Sequence, residues 1–198
     1  MSVRNLKIAT RAFLSFAFVT LLLIALGVLA LWKMHLIREA AVDLQDNWMA
    51  SLRQAGRVEL TLYRIRLESF RLVSATDAQL KQTEAARIQE LKATLDQQIK
   101  AYGPMVSSPE EQSVYEAVQR NANRYEQKLA ETLQIASEKG TEAALGLLNN
   151  VIPPLVSELQ TNIEALEKIN DDGAVQSGIT AQQQLDGGFY LTIAIIVI

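Results

Sequence analysis

The chain has no cysteine, a single histidine, four prolines and nine glycines among 198 residues. Without cysteine there is no disulfide, no thiolate nucleophile and no Cys-ligated metal. The lone histidine, His35, sits beside an apolar run and reads as an interfacial side chain. The Glu-x-x-His pair that a bundle-core di-iron site needs is absent, as are a phosphate-binding glycine loop and a nucleophile elbow. Glu110-Glu111 and Asp171-Asp172 read as charges at helix ends rather than acid/base pairs. These absences argue against an enzyme and call for no cofactor or metal. A net charge of −3 provides no field to attract nucleic acid. The scarcity of Gly and Pro, beside abundant Ala, Leu, Glu, Gln and Lys, favours helix over strand.

One long apolar run is present. Residues Ala12 to Trp32 carry no charge over 21 positions, enough at about 1.5 Å per residue to span a hydrocarbon core of roughly 30 Å. Arg4, Lys7 and Arg11 precede it and Trp32 marks its far end, which predicts a transmembrane helix with a cytoplasmic N-terminus. A cleaved signal peptide fits less well, because the run is too long and Val28-Leu29-Ala30 is a poor cleavage site. A second run starts at Phe189 and is ten residues old when the chain stops at Ile198. It reads as the start of a second membrane helix leading back to a cytoplasmic output. The expected organisation is a cytoplasmic N-terminus (1–11), transmembrane helix (12–32), extracytoplasmic sensor region (33–188) and truncated second transmembrane helix (189–198).

Between the two runs the spacing predicts four helices. Leu44, Trp48, Ser51, Ala55, Val58, Leu62, Ile65, Ser69 and Leu72 alternate in steps of four and three, the core seam of a bundle helix. That helix ends near Ser74, and Asp77 can cap the next, whose apolar residues run from Leu80 to Tyr102 before Gly103-Pro104. Ser108, Pro109 and Glu111 form a start signal of the capping-box type for a third helix, which ends at Lys139-Gly140. The fourth opens at Thr141 with Leu148, Ile152, Leu155, Leu159, Ile163, Leu166 and Ile169 as its seam. Pro153-Pro154 removes two backbone donors inside it and must bend or open it. Gly173, Gly178 and Gly187-Gly188 are expected to weaken its later part. Short connections make this an all-α, antiparallel up-down-up-down four-helix bundle, whose long first and fourth helices continue into transmembrane helices.

The first bundle helix carries a second apolar face. Leu60, Tyr63, Leu67 and Phe70 fall nearly opposite its seam, which points to packing against a second copy of the chain in a homodimer. Arg57, Arg64 and Arg71 recur every seven residues beside that face. A planar guanidinium presents two donors to a carboxylate or phosphate, although such a stripe is equally a solvated charged flank. Counted along the helices, Arg64 and the opened backbone at Asn149 and Asn150 lie at one height, some 18 Å from the distal end. Arg57, Arg64, Arg71, Asn149 and Asn150 are therefore the candidate ligand-binding residues, for a small anion with an apolar body.

These parts, in this order, resemble the periplasmic sensor of the bacterial chemoreceptors, the four-helix-bundle family of methyl-accepting chemotaxis proteins: a basic N-terminus, a first membrane helix, Asp46-Asn47-Trp48 at the start of the bundle, an Arg-rich first helix and proline in the fourth. The resemblance implies an inner-membrane homodimer that binds a small organic acid or amino acid between subunits and signals through a shift of its fourth helix to cytoplasmic partners. Counting from Trp48, Arg64 matches one of the family's ligand-binding arginines, whereas Arg57 and Arg71 lie in the right region outside its spacing. Ile152-Pro153-Pro154 stands where amino-acid receptors carry Gln-Pro-Thr, which implies a carboxylate with a less polar remainder. The same sensor could serve a histidine kinase or cyclase, and a ligand-free structural membrane bundle is the alternative of a different class.

Overall fold

The computed structural model describes residues 7–197, and side chains up to residue 194. Arg4 of the basic N-terminus and the final Ile198 lie outside the described residues. The described residues are helical almost throughout. In chain order they form α1 (Ile8–Asp43), a π-helical stretch (Leu44–Trp48), α2 (Met49–Ser74), α3 (Ala78–Tyr102), a 3₁₀ turn (Gly103–Met105), α4 (Pro109–Lys139), α5 (Thr141–Asn150) and α6 (Ile152–Val197). The described residues form two compact units, one within residues 46–174 and the other within residues 7–45 and 175–197.

The larger unit is the four-helix bundle, with α5 and the first part of α6 together serving as the fourth helix. Its core interleaves Leu62 and Ile65 of α2, Leu95 of α3, Tyr125 and Leu129 of α4, Leu148 of α5 and Leu159 and Ile163 of α6, all essentially inaccessible to solvent. The expected seam of α2 is buried from Ser51 to Ser69, but at its end Val73 is buried and Leu72 only half so. A straight helix turns 3.6 residues per turn against a 3.5-residue seam, so a long seam drifts off its stripe by about 20° per heptad. Loss of one of these buried leucines, as in Leu62→Ala, would cost about 2–5 kcal/mol.

The helix ends follow local chemistry. The Asp77 carboxylate accepts from the Leu80 amide at 2.8 Å at the start of α3, and Ser108 Oγ accepts from the Glu111 amide at 3.1 Å at the start of α4. Gly140, at φ 90°, makes the corner between α4 and α5 in a region that side-chain-bearing residues avoid. The fourth helix opens where the prolines require: α5 stops at Asn150, Val151 forms a turn and Pro153-Pro154 lie in the first turn of α6. Prolines have no amide to give the carbonyls of Asn149 and Asn150, four residues back.

Contrary to expectation, the glycines do not interrupt α6. At Gly173 the reason is packing, since a Cβ there would lie 2.4 Å from the Trp48 ring. The indole occupies the space a side chain would need.

In the smaller unit α1 runs antiparallel to the end of α6. Lys33 Nζ donates to Gln184 Oε1 at 2.6 Å, and Ser177 Oγ donates to Asp43 Oδ2 at 2.8 Å. Within the helical segment Ile8–Ser74 lies a window long and apolar enough to cross a membrane, with none of it buried.

Candidate ligand-binding face

The exposed side of α2 carries most of the predicted second face. Leu60, Tyr63 and Leu67 are 51%, 43% and 51% exposed, an unusual set of large apolar side chains on a well-packed helix. Phe70 differs: it is half-buried and packs on the bundle's own core. It stands about 60° from the buried Val73 around the helix, so it falls on the border of the core rather than opposite it. Tyr63 is also tied sideways. Its hydroxyl donates to Glu59 at 3.3 Å and accepts from Gln160 Nε2 of α6, linking the exposed face to the fourth helix.

The arginine stripe divides into two kinds. Arg57 and Arg64 are exposed, and among the described residues neither makes an ion pair or a side-chain hydrogen bond. Arg71 is already engaged, donating to Glu68 at 3.1 and 3.3 Å. Glu68 is buried and also pairs with Arg87 of α3 at 3.2 Å. Beside it lies the buried Glu84, whose carboxyl is held above the usual carboxylate range first by burial, then by its hydrogen bond to Glu68 and the repulsion of that charge, against the pull of Arg71 and Arg87. Arg71 thus serves the packing of α2 on α3, leaving two cations of the stripe uncommitted.

Thr141 Oγ1 donates to the Val73 carbonyl at 3.2 Å, fixing the start of α5 beside the end of α2. Arg64 lies about nine residues back from this tie and Asn150 about nine residues on, so each is about 13 Å from it along its helix. The structure brings them to a common height but does not join them. Both asparagines are exposed, and Asn150 Nδ2 donates to the Gly146 carbonyl at 2.8 Å.

Sequence reasoning missed a buried polar centre deeper in the bundle. Glu111 is not a solvated helix-end charge but is fully enclosed. Its Oε1 accepts from the Tyr102 hydroxyl at 2.6 Å and from Asn170 Nδ2 at 3.1 Å, and its Oε2 accepts from the Ser107 amide at 2.7 Å. The capping box is therefore half made, with the Glu111 carboxylate bonded to Ser107 rather than to the cap residue. Burial alone would raise the Glu111 carboxyl, but the bonds from Tyr102, Ser107 and Asn170 outweigh it and hold it below the usual range. Asn170 belongs to α6, so the network locks the fourth helix to the α3–α4 corner. The signal in the sequence was Glu111 and Asn170 falling at core positions of their helices.

No curated protein matches the chain significantly. A family model does: the four helix bundle sensory module for signal transduction matches residues 5–185. With its bundle and with nearly the whole sequence matched, the chain belongs to the four-helix-bundle sensory module family of the methyl-accepting chemotaxis proteins.

Proposed function

We propose that this sensory module is the extracytoplasmic part of an inner-membrane chemoreceptor that binds a small organic anion between two copies of the chain. Supporting this, two uncommitted guanidinium groups, Arg57 and Arg64, flank an exposed apolar face formed by Leu60, Tyr63 and Leu67. A dimer covers that face, and a carboxylate with an apolar body, an organic acid or an amino acid, suits the crevice beside it. The open helix end at Asn149-Asn150 stands at the same height, and its carbonyls and amides complete a polar rim.

The apolar run in α1 anchors the sensor with its N-terminus in the cytoplasm, and α6 leads back through a second membrane helix to cytoplasmic signalling partners. Ligand that binds one arrangement of the bundle more tightly biases α6 toward it. Tyr63 couples the two, because its hydroxyl is bonded to Gln160 of α6 and its ring lies on the exposed face. The chain does no covalent chemistry in this role. Calorimetry of the full chain in lipid nanodiscs against a panel of mono- and dicarboxylates tests the reading. A saturable binder lost in Arg64→Ala supports it, and binding that survives Arg64→Ala unchanged overturns the site.

A further inference from the structure

At the distal end of the bundle, beyond Arg57 and Arg64 along α2, lies a partly enclosed cavity of about 150 Å³. Its walls come from four helices: Leu72 and Val73 of α2, Lys81 of α3, Leu133 and Ala136 of α4, and Thr141 of α5. A cavity of that size has room for one small ring, an engineered apolar void of about 150 Å³ being able to bind benzene. The lining is chemically divided. Leu72, Val73, Leu133 and Ala136 make an apolar floor, while Lys81 is exposed at the rim and, among the described residues, makes no ion pair. The two hydroxyls in the wall have given their protons away, Thr141 to the Val73 carbonyl and Ser137 to the Gln134 carbonyl at 2.7 Å, so they present acceptors and do not compete with the ammonium as donors.

We infer that this cavity is a second ligand site, taking a small monocarboxylate with a compact ring-sized apolar body, its carboxylate on Lys81. The apolar floor buries the ring, and the Lys81 ammonium at the rim selects an acid over its neutral isostere. The site is separate from the proposed ligand face, because none of Arg57, Leu60, Tyr63, Arg64 and Leu67 lines it. It also touches both distal connections, α2 to α3 and α4 to α5, so an occupant fastens these two corners to each other.

Benzoate and its neutral isostere benzamide are the probes, added to the full chain in lipid nanodiscs with isotope-labelled Leu and Val methyl groups. Benzoate should shift the Leu72, Val73 and Leu133 methyl signals saturably, with half-saturation at or below about 10 mM, the range expected for a ligand of so few atoms. Lys81→Gln should weaken it by about threefold to fivefold, as expected for one exposed ion pair, and should remove the preference over benzamide. Ala136→Phe, which fills the floor, should abolish the shifts while the helical content stays unchanged. Arg64→Ala should leave them intact, which separates this site from the dimer face. Equal affinity for benzoate in Lys81→Gln and wild type, persistence of the shifts in Ala136→Phe, loss of the shifts in Arg64→Ala, or no shift at these methyls at all, would each overturn the inference.

Discussion

The Tyr102 hydroxyl donates to Glu111 Oε1 at 2.6 Å, and the Asn170 amide reaches both partners, at 2.6 Å and 3.1 Å. A carboxylate stabilised in this way is ionised more readily folded than unfolded. Its contribution is therefore complete above the unfolded value of about 4.3 and is lost as pH falls through the lower folded value. Glu111→Gln should lower stability at pH 7 by about 2 kcal/mol, the usual cost of losing a hydrogen-bonded charge, with the deficit shrinking as the solution is acidified below about pH 4. Thermal melts of wild type and variant across pH 2–7 check this.

Glu84 carries the opposite sign. Its folded value is raised, so its carboxyl favours the folded state at low pH and that advantage fades as pH rises past the unfolded value. Glu84→Gln should raise the melting temperature at pH 7, where it removes a charge crowded against Glu68, and leave it unchanged at pH 3. A lower melting temperature at pH 7 would mean that Arg71 and Arg87 more than offset the crowding.

Two glycines of α6 should respond in opposite directions to one extra methyl group. At Gly173 the new Cβ meets the Trp48 ring at 2.4 Å, so Gly173→Ala must displace a half-buried indole and should destabilise by about 1–3 kcal/mol. At Gly178 nothing lies within 4 Å, so Gly178→Ala gains helix propensity and should stabilise by about 1 kcal/mol. Paired thermal melts of the two variants decide it, with Trp fluorescence reporting the indole in the first.

The arginine stripe should also split. Arg64→Ala should weaken the ligand that calorimetry identifies by about tenfold or more, the worth of a charged hydrogen bond, while leaving the melting temperature of the unliganded protein within about a degree. Arg71→Ala should do the reverse, with affinity nearly unchanged and stability reduced, because it leaves the buried Glu68 with Arg87 alone.

Much of the bundle could be read from residue order because its helix ends are chemical signals. Asp77 and Ser108 mark a boundary by accepting from a backbone amide, Pro153-Pro154 by lacking one and Gly140 by its positive φ, and each boundary lies where the signal puts it. The contents of the core were less legible. Gln54, Thr61, Glu68, Glu84, Glu111 and Asn170 are all buried, and a seam built from apolar residues passes over them. A polar side chain goes inside when a partner from another helix meets it there, as Gln54 does by donating to the Gln98 carbonyl at 2.7 Å. Such partners lie far apart in the chain. The π-helical stretch at Leu44–Trp48 had no local signal either, having neither Gly nor Pro. At the candidate face, spacing identified the stripe, but only the position of Glu68 separates Arg71, which is occupied, from Arg57 and Arg64, which are not.

The gap at Val151 gives the fourth helix a joint. Thr141 hooks α5 to the tip of α2, while Asn170 moors α6 to the α3–α4 corner, and the two fastenings lie on opposite sides of the interruption. Bending between α5 and α6 breaks no bond from the prolines, since neither has an N–H to give the carbonyls of Asn149 and Asn150. Moving the lower part against the crown would strain the mooring at Asn170, the Gln160–Tyr63 bond and the buried packing of Leu159 and Ile163.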